Sequence, residues 1–320
     1  MPLHLTKVAV GCASIEALKN RVARRITAAG EVRVTTRMRP RRTDELVGGS
    51  LYWIVKHRIV ARQQIICGCH VHVGIDDPDL AVATMNRTRT WLSVLLALSA
   101  NSPFWQGVDT GYASYRLQVW QRWPTSGMPP RLGSDAEFRD LVDKLVAIEA
   151  IEDPTFLYWY VRPSIRYPTL EFRACDVCLS VDETVAIAGL TRALAWTCMR
   201  EVLDDVPERD SHPEVTEASM WRAGRYGLSG RLVSPAAMVT RPASEAVGEL
   251  LSYLRDGLEF HGDWVEVSNL VASTLASGDA ARRQRAAFAR HQDPHDVISY
   301  VMDATLASVG DPVASPATVW

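Results

Sequence analysis

The sequence predicts a mixed α+β fold, in which short strands alternate with long helices. Two segments carry the alternating pattern of apolar and polar residues that is typical of strands, residues 65–75 and 167–178. Later segments show helical periodicity, and the longest covers residues 181–203. The chain has 320 residues, of which 47% are hydrophobic and 22% charged, so it can bury a substantial core.

The first 66 residues differ in charge from the rest of the chain. They hold 13 basic and 4 acidic residues, although the whole chain has a formal net charge of −2. Their pattern predicts three strands and one helix, over residues 3–10, 32–36, 51–63 and 14–29. We therefore expect a basic N-terminal segment over residues 1–66, a main domain over residues 67–310 and a tail over residues 311–320.

Composition also narrows the functional class and the location of the protein. The apolar stretch over residues 91–100 is too short to span a bilayer, and residues 1–11 lack the apolar region of a signal peptide. Six cysteines in a chain of this length do not suggest a disulfide scaffold. Only residues 39–42 form a basic cluster, so we do not expect nucleic-acid binding. We expect a cytoplasmic protein without a membrane partner.

The elements of the main domain follow from caps and periodicity. Acidic residues around Pro78 predict a helix that runs to about residue 100, and Ser134 with Glu137 predicts a capped helix over residues 134–150. Residues 101–130 are aromatic and rich in Gly and Pro, which predicts a long functional loop. We expect paired strands over residues 156–161 and 164–174, joined across Arg162 and Pro163. Further helices are predicted over residues 181–203, 242–258, 264–277 and 280–291.

The stretch CGCHVHVG, residues 67–74, combines two histidines with two cysteines in one predicted strand. Because side chains alternate along a strand, His70 and His72 share one face with Gly68 and Gly74. The cysteines lie on the other face with the valines. The glycines allow a ligand to approach the histidines closely. The pattern fits a metal site, a phosphate site or two histidines with structural partners.

The second strand, YPTLEFRACDVC, places Glu171 and Arg173 on one face and Leu170 and Phe172 on the other. A carboxylate with imidazoles can hold a divalent cation, and arginines bind phosphate or carboxylate oxygens. Together with aromatic residues of the long loop, the nearby arginines predict an anion-binding pocket suited to polyphosphate chemistry. These arginines are Arg116, Arg122, Arg162, Arg166 and Arg173.

A structural zinc site is an alternative. Cys67, Cys69, Cys175 and Cys178 have a plausible ligand spacing, although buried cysteines also pack as small apolar residues. A serine nucleophile elbow, a phosphate-binding P-loop and a GxGxxG turn are absent from the sequence, which disfavours the usual hydrolase, P-loop and dinucleotide-binding interpretations.

Several ordered motifs make the chain similar to a known family. GCHVHVG, NSPFWQGVDTGYASYR, LEFRACDVC and WRAGRYGL resemble the YbdK-type carboxylate–amine ligases, the glutamate–cysteine ligase 2 family, over about residues 66–310. The resemblance implies a fold like that of glutamine synthetase, with a curved antiparallel sheet and helices on one side. The pattern of residues 1–66 adds a small N-terminal α/β segment. It also implies ATP-dependent formation of an amide (γ-glutamyl) bond through an acyl phosphate, with ATP and Mg²⁺ as cofactors.

The resemblance further implies roles for individual residues and partners. Arg173 and Arg116 would be catalytic, and Glu171 and His70 would bind the metal. The nucleotide would be bound by His70, His72, Arg166 and Arg122. The substrates would be glutamate or another carboxylate and cysteine or another amine, and a homo-oligomer is compatible with this scheme. The alternatives are an inactive nucleotide-binding remnant and a zinc-stabilised structural protein.

The N-terminal segment departs from the family pattern. The ligases begin with a Glu-rich strand that supplies metal ligands, whereas Glu16, Glu31 and Glu45 stand singly here. Residues 1–66 resemble instead an uncharacterised proteobacterial family, which predicts a fusion near residue 66. We therefore expect a metal site that is incomplete and binds Mg²⁺ poorly, with reduced activity.

Overall fold

The computed structural model of the chain describes residues 66–209 and 212–309. The elements predicted within residues 1–65, and the predicted tail, lie outside the described residues. All described residues belong to one compact unit, Ile66–Trp320. They form helices and three small antiparallel sheets, which confirms the predicted α+β class. Among these residues, no helix is both long enough and apolar enough to cross a membrane.

The first strand and the helices after it form much as the sequence predicts. Strand β1 (Val71–Gly74) leads into helix α1 (Pro78–Thr88), where the Asp77 carboxylate accepts hydrogen bonds from two backbone amides of the first turn. The predicted single helix is divided, because a 3₁₀ turn (Arg89–Trp91) separates α1 from helix α2 (Leu92–Ser99).

The region predicted as one long loop contains short elements. Strands β2 (Phe104–Trp105) and β3 (Val108–Asp109) form a small hairpin, and helix α3 (Tyr115–Trp120) follows. Helix α4 (Asp135–Ala147) begins where the cap predicts, since Ser134 Oγ accepts a hydrogen bond from the Glu137 amide at 3.2 Å.

The largest described sheet has three strands in the order β1–β5–β4, with β4 at Val161–Pro163 and β5 at Thr169–Phe172. Both pairings are antiparallel. The predicted pairing of β4 with β5 is correct, but the predicted connection is wrong. Arg162 and Pro163 lie within β4, and Pro163 is tolerated because β4 has only one partner strand in this sheet.

The C-terminal half is mainly helical. Its four predicted helices are present, and two more begin at prolines, whose fixed φ suits the first helical position. The elements are α5 (Val181–Leu203), α6 (Pro213–Tyr226), β6 (Arg231–Val233), β7 (Thr240–Pro242), α7 (Ala243–Phe260), α8 (Trp264–Ser277), α9 (Ala280–Phe288) and α10 (Pro294–Val309).

Helix α5 lies at the centre of the core and packs against α1, α7 and α8. Trp91, Leu95 and Leu190 are fully buried there, and each such side chain contributes roughly 1.5–3 kcal/mol by leaving water. Leu170 and Phe172 of β5 belong to the same core. Because this face of the sheet is apolar, the alternate residues of β1, β5 and β4 place polar side chains on the opposite face.

Candidate functional site

A row of charged and polar side chains crosses the three-stranded sheet. The register places His72 of β1 opposite Glu171 of β5, and Glu171 opposite Arg162 of β4. The Arg162 Nε donates a hydrogen bond to Glu171 Oε2 at 2.8 Å. The other carboxylate oxygen, Oε1, lies 3.2 Å from His70 Nδ1 and 3.7 Å from His72 Nε2. The predicted juxtaposition of His70, His72 and Glu171 on one face is therefore present.

The Glu171 carboxylate is buried, with 6% of the residue exposed, and it is ionised. Burial alone would raise its pKa, but the hydrogen bond from His70 and the charges of Arg162 and Arg173 outweigh burial and hold the pKa well below its usual range.

For His70, the effect of burial on the pKa is the larger one. Burial lowers its pKa, and this effect exceeds the opposing hydrogen bond with Glu171. His70 is therefore neutral at neutral pH and donates from Nδ1, which leaves Nε2 as a hydrogen-bond acceptor.

Arg173 is the charged side chain of this face that has a buried donor without an acceptor. Its Nη1 donates to the Leu157 carbonyl at 3.2 Å, whereas its Nε lies 3.7 Å from Glu171 Oε1 and has no acceptor among the described residues. Burial, reinforced by the charge of Arg162, lowers the pKa of Arg173 to about 10, so the guanidinium stays charged at neutral pH. Arg162 differs, because its nitrogens donate to Glu171 and to the carbonyls of Thr155 and Leu157.

Arg116 occupies a different position from the one expected. Its terminal nitrogens donate to the carbonyls of Ala174 and Arg173 at 3.0 and 2.9 Å, and its guanidinium stacks 4.5 Å from the centre of the Trp120 ring. It is buried, and its Nη1 lies 3.6 Å from the Asp176 carboxylate. Arg116 therefore holds the chain that follows β5 and does not present free terminal donors to a ligand.

The remaining predicted nucleotide-binding residues lie apart from this cluster. Arg166 lines a separate cavity of about 430 Å³ beside the turn between β4 and β5. Arg122 is exposed and lies 3.4 Å from the Tyr115 hydroxyl. Within the described residues, neither arginine makes a hydrogen bond or ion pair with Glu171, His70 or His72.

Sequence reasoning did not assign Thr169 to the site. Its Oγ1 lies 2.9 Å from His72 Nδ1 and fixes the orientation of that ring. The role of Arg162 as the main partner of Glu171 was also missed. The register between strands, which reveals both contacts, is not readable from one strand alone.

The predicted metal ligands do not fit a Mg²⁺ ion well. Glu171 is the one carboxylate in the cluster, and both of its oxygens already face cationic or N–H groups. Among the described residues, no group of three or more His, Cys, Asp or Glu side chains is placed to hold a metal. The same finding disfavours the zinc alternative. Cys175 is buried against Ser99, and the Cys178 Sγ lies 4.0 Å from the Asp176 carbonyl oxygen.

Comparison with known proteins identifies the family. The model of the glutamate–cysteine ligase family 2 (GCS2) matches residues 5–295. The chain belongs to this family. The match includes most of the basic N-terminal segment, so it does not support the expectation that residues 1–66 come from an unrelated family.

Individual relatives agree with the family match. "Putative glutamate--cysteine ligase 2-2" of Frankia alni is 46% identical over 247 residues, which cover 77% of this chain and 64% of the relative. "Putative glutamate--cysteine ligase 2-1" of Saccharopolyspora erythraea is 40% identical over 281 residues, covering 88% of this chain and 72% of the relative. The chain spans less than two thirds of the length of the first of these relatives.

A solved structure shares the fold of the GCS2 chain. The glutamate–cysteine ligase of Francisella tularensis, crystallised in complex with AMP, superposes with a TM-score of 0.51 at 11% sequence identity. The superposition covers 72% of this chain and 58% of the other. The likeness supports the expected relation to γ-glutamyl ligases in fold.

Proposed function

We propose that this chain is an ATP-dependent carboxylate–amine ligase of the glutamate–cysteine ligase type. A carboxylate oxygen, such as that of the glutamate side chain, attacks the γ-phosphorus of ATP, and the bond to the leaving ADP oxygen breaks. The nitrogen of an amine such as cysteine then attacks the acyl phosphate, forming the amide and releasing phosphate and a proton. Family membership and the names of the relatives support this reaction class.

The observation that carries the proposal is the arrangement around Glu171 on the polar face of the sheet. Two guanidiniums, Arg162 and Arg173, face one carboxylate, so the cluster has excess positive charge at neutral pH. Such a face fits anionic oxygens of a nucleotide or a carboxylate substrate. The neighbour crystallised with AMP is consistent with nucleotide binding by this fold.

The side chains of the cluster have separate roles in this proposal. Arg173 keeps its positive charge beside Glu171, and this charge stabilises the negative charge that develops on the transferred phosphoryl group. His70 and His72, with side chains 38% and 40% exposed, contact the nucleotide from the solvent side. Glu171 and Arg116 are positioning residues, since Glu171 orients His70 and Arg162, and Arg116 holds the backbone of Arg173.

Mg²⁺ would supply charge neutralisation to the phosphates, but the described residues do not offer the carboxylates that a resident ion needs. We therefore assign no step to a metal held by Glu171 and His70. Arg122 and Arg166 remain expected nucleotide contacts only if the ligand extends beyond the cluster.

The test is ADP release by the purified chain with Mg-ATP, glutamate and cysteine. We expect release to require both amino acids and to fall by about 100-fold in Arg173→Lys, which keeps the charge but loses the planar guanidinium. The control is Glu201→Gln, which alters another ion-paired carboxylate, 3.4 Å from Arg87, and leaves the cluster intact. Equal rates in the wild type and Arg173→Lys would refute the assigned role.

An inactive nucleotide-binding remnant is the second candidate. It is favoured by the single carboxylate of the cluster among the described residues. Calorimetric titration with Mg-ATP distinguishes the two. Binding that is weakened in Arg173→Lys, without ADP release under any substrate combination, would establish the remnant and refute the ligase.

A further inference from the structure

A second cavity lies away from the Glu171 cluster and shares none of its side chains. It measures about 470 Å³ and is formed where the 3₁₀ turn after α1, the segment before α4 and the start of α6 meet. Its walls combine charged residues with three prolines and a methionine. The lining residues are Arg89, Met128, Pro129, Pro130, Arg131, Glu208, Pro213 and Glu217.

Arg89 is the unusual residue of this cavity. It is only 4% exposed, and its side chain makes no hydrogen bond or ion pair with any described residue. Its Nε is sealed from solvent without an acceptor, whereas its terminal nitrogens are not sealed and remain for a ligand. A guanidinium keeps its proton even when buried, and a buried cation without an acceptor is costly. An anionic group at the terminal nitrogens would remove this cost.

The other charges of the cavity leave one carboxylate for a ligand. Arg131 Nη2 and Glu208 Oε2 are 2.7 Å apart and neutralise each other. Glu217 Oε1 accepts the Met128 amide at 2.8 Å, which fixes the carboxylate in the wall, and its second oxygen has no donor among the described residues. The charges of Glu208 and, more weakly, of Glu217 act on Arg89, but neither carboxylate forms an ion pair with it among the described residues. A cation and an anion thus face one cavity with space between them.

We propose that this cavity binds an α-amino acid, with the ligand carboxylate on Arg89 and the ammonium at Glu217. A molecule that carries both charges on one carbon satisfies both side chains at once. The apolar atoms of Met128, Pro129 and Pro213 then contact the ligand side chain, so a medium-sized apolar side chain is favoured. The proposal concerns binding alone and does not require the ligase reaction.

Three matched probes test the assignment in ligand-observed NMR titrations of the full chain without ATP. L-norvaline carries both charges, pentanoate lacks the ammonium and butylamine lacks the carboxylate. We expect norvaline to bind at least about tenfold more tightly than either analogue, because each charge-assisted contact is lost separately.

Two variants locate the contacts. Arg89→Leu should weaken the binding of norvaline and of pentanoate by about tenfold or more, and it should leave the affinity for butylamine unchanged. Glu217→Gln keeps an acceptor for the Met128 amide and should reduce norvaline to the affinity of pentanoate. Arg139→Leu, which removes an exposed arginine paired with Asp135, is the control and should change none of the three.

The outcomes are decisive even if Arg89→Leu fails to fold, because Glu217→Gln is isosteric. Norvaline binding that is unchanged in Glu217→Gln would overturn the proposal, as would equal affinities for norvaline and pentanoate. Absence of norvaline binding to the wild type would overturn it as well. Because ATP is omitted, failure here is distinguishable from failure of the ligase assay.

Discussion

Replacing Glu171 with Gln should destabilise the chain far more than removing a surface carboxylate. The substitution keeps the shape of the side chain but removes the negative charge that two arginines face, and both arginines are largely buried. Breaking a buried ion pair by losing one partner typically costs about 3–5 kcal/mol. The free energy of unfolding of a domain of this kind is roughly 5–15 kcal/mol, so Glu171→Gln should remove a large part of the value measured by urea unfolding.

The control for this prediction is Glu259→Gln. Glu259 pairs with Arg255 at 2.8 Å, but both side chains are about half exposed. Such pairs contribute about 0–1 kcal/mol, so the free energy of unfolding should barely change. If Glu171→Gln lowers the free energy of unfolding as little as Glu259→Gln does, the two buried arginines do not need the negative charge of Glu171, and the reasoning is refuted.

The same carboxylate gives the stability a pH dependence. Because the folded pKa of Glu171 is depressed, the unfolded state binds more protons as the pH falls below the usual glutamate pKa of about 4.3. The stabilisation is therefore present above that pH and is lost as the pH falls towards the folded pKa. Between about pH 5 and pH 3, urea unfolding of the wild type should lose stability more steeply than that of Glu171→Gln.

Two further predictions concern residues next to the cluster. The thiol of Cys178, aided by the charge of Arg116, outweighs burial and holds the pKa of Cys69 below its usual value. Alkylation of Cys69, followed by mass spectrometry against pH, should have its midpoint below the ordinary thiol value of about 8.5, and Cys178→Ala should move it upward; an unchanged midpoint would contradict the assigned cause. Gly68→Ala should cost about 1–3 kcal/mol in urea unfolding, because the added Cβ would overlap the guanidinium of Arg116. Gly74→Ala, where the new atom meets nothing, should cost much less, and equal losses would show that Arg116 moves freely.

The sequence predicts those features that depend on local periodicity. Alternation along two strands places His70 and His72 on one face and Glu171 on the matching face of its own strand, and the register joins them. Helix α5 has the predicted bounds because its caps and its apolar spacing agree. The α+β class follows from the same patterns.

Features set by tertiary contacts could not be read from the sequence. Arg116 and Arg173 belong to the same predicted arginine group, yet Arg116 donates to two carbonyls that follow β5, whereas Arg173 donates to the Leu157 carbonyl and lies beside Glu171. Their difference arises from the backbone that each side chain meets. Helices α6 and α10 were missed because their first prolines resemble loop signals unless the helix that follows is recognised. The isolation of Arg89 likewise depends on segments distant in sequence.

Arg162 and Arg173 contact the Glu171 carboxylate unequally, so the two sides of this carboxylate differ in how tightly their arginine is held. Arg162 is bound at 2.8 Å and is held by two carbonyls as well, whereas the Nε of Arg173 stands 3.7 Å from the carboxylate. In the proposed ligase, an anion would therefore displace less from Arg173 than from Arg162. The negative end of the ligand would lie towards the residue that follows β5, and not towards β4.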